Sequence, residues 1–424
     1  MNLYDLPLFF ALIGLVLYTV LAGADFGAGL WQLFSGRGSQ GVRIRDHAHN
    51  SMAAVWEANH VWLIFVLTVV WTAYPEAFGA IASTLSIPLF IAAVGIIFRG
   101  AAYALRAGSS TAGESRTIDT VTAVASIITP FALGAAVGGI ASGRVPVGNA
   151  AGDLVSSWLN PTSILIGVLA VVTAAYLAAV YLAADAVRLG KSDLARAFRV
   201  RALGTGVVAG AIALGGLAVL HADVPSLYHG LVSGDGLVAL VVSILAGVTT
   251  LGLVWVGRYE PARYSAATAV AAIIAGWAIA QRPTFLPGLT IQEAAAPDDT
   301  LIAIVVAIVV GGAILFPSLG LLFKLVLGGR LDYAESTPTS TTPRRAVLSA
   351  SAPGLLARSA GACFVAGLGF LTAADAGWAH AIGITSLFAF IMLGFLAVAP
   401  SELARADAKD SNKLKRRAER DSTW

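Results

Sequence analysis

The stretch that decides the fold is LPLFFALIGLVLYTVLAGADFGAGLWQLF, residues 6–34, an apolar run in which Asp25 is the single charged residue. As a helix rising about 1.5 Å per residue, it is long enough to cross the roughly 30 Å hydrocarbon core of a bilayer. The whole chain agrees with this interpretation. Of its 424 residues, 57% are apolar and only 12% are charged, whereas about a quarter of a soluble domain is charged. The sequence therefore predicts an all-α integral membrane protein.

Ten more runs have the length and composition of membrane spans, which makes eleven in total. The predicted spans cover residues 6–34, 52–74, 78–104, 118–141, 162–186, 203–220, 236–257, 264–280, 301–327, 355–373 and 378–398. The connecting segments that follow the odd-numbered spans hold 22 of the chain's 27 Lys and Arg residues, and three more, Arg99, Lys324 and Arg358, lie inside predicted spans close to those segments. By the positive-inside rule, the N-terminus lies outside and the C-terminus lies in the cytoplasm.

Composition divides the chain into four parts. Residues 1–330 are predicted to form a nine-helix transmembrane bundle. Residues 331–354 form a cytoplasmic linker that contains the Ser/Thr/Pro-rich stretch STPTSTTP at 336–343, a composition that lacks an apolar face. Two extra C-terminal transmembrane helices occupy residues 355–400, and a charged cytoplasmic tail occupies residues 401–424.

Two acids, Asp25 and Glu57, lie inside apolar runs and away from their edges. An ionisable side chain at membrane depth is costly unless it is paired, hydrated or protonated, so it is a functional candidate, with a structural hydrogen bond between helices as the alternative. Helix geometry places both acids near the cytoplasmic ends of adjacent spans. His60 follows Glu57 by three residues, which puts both on one helix face. A carboxylate beside an imidazole suits proton transfer.

A metal or haem site is poorly supported by the residues. The single cysteine, Cys363, excludes an iron–sulfur cluster, a Cys-rich zinc site and a covalently attached c-type haem. His60 could ligate a haem iron, but the other histidines lie at predicted helix ends or in loops and offer no evident second axial ligand. These are His47, His49, His221, His229 and His380.

Several motifs resemble subunit II of the cytochrome bd quinol oxidases over about residues 1–330. The motifs are GADFGAGLW at 23–31, VWEANHVWLIF at 55–65, AAYLAAVYLAADA at 174–186, RAFRVRAL at 196–203 and QRPTFLPGLTIQEAAAPDD at 281–299. The resemblance implies a heterodimeric membrane complex that oxidises quinol and reduces dioxygen to water. It also implies that haems b and d lie in a homologous partner, subunit I, and that this chain binds no haem.

The resemblance assigns roles to particular residues. Asp25 matches the family's acid on helix 1, and Trp56 and Glu57 match the Trp and acid of helix 2 that are associated with a cytoplasmic proton pathway. Asn59 matches an Asn of the same motif. Many members have Asp where this chain has Glu57, so the acid is kept on a longer side chain. Some members hold a structural quinone in subunit II, but no motif here assigns one.

The chain departs from the family at its C-terminal end, because a typical subunit II ends soon after its ninth helix. The extra helix pair could fill a groove that a small accessory subunit occupies in other complexes. The expected location is a bacterial or archaeal plasma membrane, with membrane lipid as a further partner and no nucleic acid. The alternative function is a proton-coupled secondary transporter with Asp25 and Glu57 as coupling sites, which should show paired repeats with broken helices.

Overall fold

The computed structural model describes residues 2–36, 38–52, 56–106, 112–327, 355–373, 378–379, 381–390 and 392–393. The chain divides into two compact units, Met1–Leu331 and Asp332–Trp424. The helices are α1 Leu6–Leu33, α2 Ser39–Met52, α3 Trp56–Ala73, α4 Pro75–Thr84, α5 Ser86–Arg106, α6 Ala112–Ala141, α7 Pro161–Arg188, α8 Ser192–Asp223, α9 Pro225–Leu231, α10 Gly234–Trp255, α11 Tyr259–Gln281, α12 Ile291–Ala294, α13 Asp298–Leu327 and α14 Leu355–Ala373. A small antiparallel hairpin, β1 Thr284–Leu286 and β2 Leu289–Thr290, precedes α12.

The predicted all-α membrane class is confirmed. Within the described part of the chain, seven helices are long and apolar enough to cross a membrane, or eight if the bent pair α4 and α5 forms one span. Each of the nine apolar runs predicted in residues 1–330 overlaps at least one helix. The full count of nine plus two spans and the orientation of the termini stay predictions.

The third predicted run, residues 78–104, is not one straight helix. The chain turns by 80° between α4 and α5, and α4 ends at Thr84. Pro88 lies four residues beyond Thr84 and has no backbone N–H, so it cannot donate to the Thr84 carbonyl, and its ring clashes with a carbonyl at that position in a continuous helix. The proline therefore favours a helix end at Thr84, whereas Pro130 and Pro317 lie inside the continuous helices α6 and α13.

Helix α2 was not predicted, because a search for apolar runs passes over it. It has a polar composition, but Ile44, His47 and Ala48 are buried, and their spacing of three and four residues gives one buried helix face. The face contacts α1 and α7. α2 is thus an amphipathic helix that covers one end of the bundle.

Helix α7 lies at the centre of the first unit and packs against α1, α6, α8 and α11. Small residues allow the close approach of these helices. A Cβ atom on Gly27 of α1 would overlap the backbone carbonyl of Ala174 in α7. On the other side of α7, a Cβ atom on Gly134 of α6 would lie 2.8 Å from the carbonyl oxygen of Ile166. α7 therefore fixes the positions of both α1 and α6.

The second unit contains α14 and a shorter apolar helix, Ala381–Phe390. The two helices contact one another, with the rings of Phe364 and Phe390 5.1 Å apart and Gly367 against Leu387. The predicted linker at 331–354 and tail at 401–424 lie outside the described residues.

Candidate proton-transfer site

Asp25 lies in the last third of α1, on the part of the helix that is buried all round. Every residue from Ala24 to Gln32 of α1 is buried, and the exposed fraction of Asp25 is 1%. The small residues of GADFGAG permit this, because they let α7 and the side chains from α5 approach the helix closely. The carboxylate is therefore shielded from solvent and lipid on all sides.

The counter-charge of Asp25 is Arg99 of α5. Arg99 Nη2 donates to Asp25 Oδ1 at 2.6 Å and to the Asp25 carbonyl oxygen at 2.8 Å, and Arg99 Nη1 donates to the Ser126 hydroxyl of α6. The guanidinium also lies 5.0 Å from the centre of the Phe26 ring. Arg99 is 8% exposed. One buried ion pair thus joins α1, α5 and α6.

Sequence reasoning missed Arg99. The residue lies inside the run predicted as the third span, but it was used only in the count of basic residues near that end of the span. The sequence did contain an indication of this ion pair. Asp25 and Arg99 each lie several residues inside an apolar run, at the same end of the bundle. Buried charges in membranes are usually paired with one another.

Of the four residues of α3 that the sequence singled out, the structure describes the side chains of Asn59 and His60, which lie close to α1. α3 begins at Trp56, so Trp56 and Glu57 lie in its first turn, and their side chains are outside the described part of the structure. Asn59 is buried at 2% exposure and donates through Nδ2 to the Leu21 carbonyl of α1 at 3.3 Å. The His60 ring lies 6.0 Å from the Phe26 ring.

The structure therefore brings Asp25, Asn59 and His60 together at the contact of α1 with α3. The predicted contact between Glu57 and His60 stays a prediction. The backbone position of Glu57, two residues before Asn59, puts it on the side of the cluster nearer the start of α3.

A second buried acid, Asp185, lies near the end of α7. Arg263 of α11 donates through Nη2 to Asp185 Oδ1 at 2.6 Å and to the Tyr181 carbonyl at 2.8 Å. Asp185 is 7% exposed. Arg188 of α7 also lies 3.2 Å from the same carboxylate. Asp185 is therefore a paired residue, and its contact with Arg263 ties α7 to α11.

His47 of α2 lies next to this second pair. Its Nε2 atom is 3.0 Å from the Leu182 carbonyl oxygen of α7, and the side chain packs on the Phe198 ring at 5.8 Å. Burial lowers the pKa of His47, with Lys191 acting in the same direction, against the Leu182 hydrogen bond and Asp185, which raise it. A charged His47 is therefore disfavoured in the folded chain.

Comparison with known proteins identifies the family. Residues 4–326 match the model of the family described as cytochrome bd terminal oxidase subunit II. The chain belongs to this family. The matched region contains both buried pairs and all five residues that the sequence singled out, whereas α14 and the rest of the second unit lie beyond it.

Two individual proteins support the assignment to the subunit II family. "Cytochrome bd ubiquinol oxidase subunit 2" of Bacillus subtilis (strain 168) is 29% identical over 133 residues. That match covers 31% of this chain and 38% of the relative, so it spans well under half the length of either. The structure reported as "The structure of bd oxidase from Geobacillus thermodenitrificans" is 25% identical, with a TM-score of 0.61, and covers 77% of this chain and 99% of that one.

The opposite end of this subunit II chain is closed by polar contacts that the sequence did not predict. Arg144 makes a two-pronged contact with Asp223 at 2.6 and 3.0 Å, and the Thr162 hydroxyl donates to the same carboxylate at 2.5 Å. The hydrogen bond to Asp223 raises the pKa of Arg144. The contact fixes the loop after α6 against the ends of α7 and α8.

Proposed function

We propose that this chain is the haem-free subunit of a membrane quinol:dioxygen oxidoreductase of the cytochrome bd type, and that it is inactive alone. Family membership supports this function. The observation that carries the chain's own part in it is the buried Asp25 carboxylate, held at 2.6 Å by Arg99 inside the bundle. A bundle that only scaffolds a partner gains little from burying such a pair, because apolar replacements are often equally stable.

In this proposal the catalytic cofactors, haems b and d, are held by a homologous subunit I. Those haems would take electrons from quinol and reduce dioxygen to water, which consumes one proton for each electron. This chain supports subunit I and delivers protons from the cytoplasm. A structural quinone and a small accessory subunit remain open partners of the complex, and membrane lipid surrounds the apolar faces.

The proton pathway is assigned to Asp25, Glu57 and His60, with Trp56 and Asn59 as supporting residues. Glu57, in the first turn of α3, is the entry acid. Asp25 receives protons deeper in the bundle, where Arg99 holds one of its carboxylate oxygens and leaves the other available. This division follows from position, because α3 begins at the end of the bundle where α1 ends.

The proposed orientation puts that end in the cytoplasm and the N-terminus outside, in a bacterial or archaeal plasma membrane. The distribution of Lys and Arg supports it. The proposed domains are the oxidase body at 1–330, the linker at 331–354, the helix pair at 355–400 and the charged tail at 401–424. The body corresponds closely to the region that matches the family.

The proton-coupled transporter is the less supported alternative. Such a transporter needs broken helices at corresponding positions of two repeats. Among the described helices, one pair, α4 and α5, meets the test of a broken span. The family match also covers the region that would have to form the repeats.

The test is to express the chain with and without its genomic partner and to record optical spectra of the purified material. We expect b- and d-type haem bands with quinol-driven oxygen consumption when a subunit I co-purifies, and a colourless chain when it is alone. A stoichiometric haem spectrum from the isolated chain would contradict the haem-free assignment. Absence of any haem-bearing partner in the native complex would contradict the oxidase function.

A further inference from the structure

Three buried polar atoms at or beside the Asp25–Arg99 pair have no hydrogen-bond partner among the described residues. They are Asp25 Oδ2, Asn59 Oδ1 and the Tyr18 hydroxyl. The exposed fractions of these residues are 1%, 2% and 6%. Buried polar atoms in native structures nearly always have a partner, either protein or ordered water. Three in one cluster point to a shared hydrogen-bonding ligand.

The geometry of α1 places Tyr18 and Asp25 along one line on the helix surface. Tyr18 and Asp25 are seven residues apart, so they lie on the same helix face about 10.5 Å apart along the axis. Two residues lie between them on this face, one on each side of the line: Leu21, and Ala22, which is 1% exposed and carries only a methyl group. On the Ala22 side, no large side chain of α1 therefore separates the hydroxyl from the carboxylate.

Helix α3 supplies the other wall of this line. Asn59 is anchored at the level of Leu21 by its Nδ2 hydrogen bond, which leaves Oδ1 as an acceptor between Tyr18 and Asp25. The next residue, His60, has its ring 6.0 Å from the Tyr18 ring. The charges of Asp25 and Arg99 act on both Tyr18 and His60. The polar groups of the two helices therefore form one electrostatic neighbourhood.

Arg99 determines which carboxylate oxygen faces the line. Its Nη2 donates to Asp25 Oδ1 and the Asp25 carbonyl, and its Cζ atom lies 5.0 Å from the centre of the Phe26 ring. Oδ2 is the oxygen left without a protein donor. An acceptor at one end, an amide oxygen between, and a hydroxyl that both donates and accepts at the other end match the hydrogen-bonding capacity of water.

We infer that this cluster holds a short chain of water molecules, running from Asp25 Oδ2 past Asn59 Oδ1 to the Tyr18 hydroxyl, and that Tyr18 and Asn59 position it. At about 2.8 Å per hydrogen bond, roughly three waters cover the distance. A proton accepted from Glu57 leaves Asp25 along this chain, where each water accepts one proton and donates one. The last water, at the level of Tyr18 near the middle of α1, passes the proton on toward the oxygen reduction in the proposed subunit I, which consumes it. This inference rests on the proposed proton pathway, adds Tyr18 to it and gives the supporting residue Asn59 a defined part in it.

The test uses the assembled oxidase with Tyr18→Phe, which removes the hydroxyl and keeps the ring. The matched control is Tyr176→Phe on α7. Tyr176 is also 6% exposed, but Thr250 and not the Asp25–Arg99 pair is its polar neighbour. Proton uptake is followed with a pH-indicator dye after the fully reduced complex is mixed with oxygen. Haem content and thermal stability are measured in parallel.

We expect Tyr18→Phe to slow proton uptake at least about fivefold and to raise the solvent deuterium isotope effect, with haem content and stability unchanged. Tyr176→Phe should leave all four quantities unchanged. Asn59→Leu is a second variant that removes the central acceptor, and it should slow proton uptake in the same way. A purely structural role of either residue would lower stability without changing the isotope effect.

A parallel Glu57→Gln variant distinguishes failure of the water chain from failure of the proposed proton pathway. If Glu57→Gln slows proton uptake while Tyr18→Phe and Asn59→Leu do not, the proposed pathway holds and the water chain is refuted. If none of the three variants slows proton uptake, the proposed pathway itself is refuted, and the water chain with it. Slow uptake in Glu57→Gln and in either cluster variant supports the inference.

Discussion

The structure best defines the loss of stability expected when Arg99 is replaced. Arg99→Gln leaves the Asp25 carboxylate, 1% exposed, without its counter-charge, and it removes the donor to Ser126. Breaking a buried pair by replacing one partner costs about 3–5 kcal/mol, because the remaining charge is uncompensated. The exposed fractions of Arg99 and Asp25 place the pair in that class and not among surface ion pairs.

The double variant Asp25→Asn with Arg99→Gln removes both charges at once. Since no uncompensated charge remains, we expect it to be more stable than Arg99→Gln alone, with a coupling energy of about 2 kcal/mol or more between the two sites. The assay is loss of the intact complex in detergent micelles as SDS is added, for wild type, both single variants and the double variant. Effects that add to within about 0.5 kcal/mol would refute the pairing.

Arg43→Gln provides a matched control for the same assay. Arg43 pairs with Asp193 at the same distance, 2.6 Å, but the two side chains are 57% and 38% exposed. An exposed pair of this kind contributes about 0–1 kcal/mol. A loss as large as that of Arg99→Gln would show that burial is not what makes the Arg99 pair important.

Three other predictions concern packing, pH and the C-terminal unit. Gly27→Ala should destabilise the complex by about 1–3 kcal/mol through overlap with the Ala174 carbonyl, whereas Gly204→Ala, with open space around it, should not. Equal effects of the two variants on the melting temperature would contradict the packing of α1 on α7. Burial lowers the pKa of His47, so the folded chain resists its protonation, and its contribution to stability should be fully present above the ordinary pKa of about 6.5 and should fall as pH drops below it. His47→Gln should flatten this pH dependence of stability between pH 7.5 and 5.5, and an unchanged slope would contradict the role of His47. Truncation after Gly329 should leave the haem spectrum of the complex intact, and loss of haem would show that residues 330–424 are needed for assembly.

The sequence carried most of the fold and part of the site. Long apolar runs located the helices of the body, because hydrocarbon solvent requires such runs. It did not predict α2, whose buried face of Ile44, His47 and Ala48 is short and lies in a polar segment. It treated residues 78–104 as one span, whereas the chain turns by 80° between α4 and α5 within that run.

The candidate site was half predictable for a related reason. An acid inside an apolar run is conspicuous in a sequence, so Asp25 was found. Its partner Arg99 was not, because the pairing joins residues 74 positions apart and depends on how α5 packs against α1. Tyr18 gave no signal at all, since a tyrosine in an apolar span looks like any other core residue until its hydroxyl is seen to be buried without a partner.

The measurement that tests the central claim most directly is oxygen reduction by the purified complex carrying Glu57→Gln, compared with Glu57→Asp and normalised to haem content. The account predicts that Glu57→Gln keeps the full haem spectrum but reduces turnover at least about tenfold, since an amide cannot accept and release the proton, a contribution usually worth a factor of roughly 10²–10⁴. Glu57→Asp should keep substantial activity because it retains a carboxylate. Full turnover by Glu57→Gln would contradict the proton pathway, and loss of haem together with turnover would assign Glu57 a structural role instead.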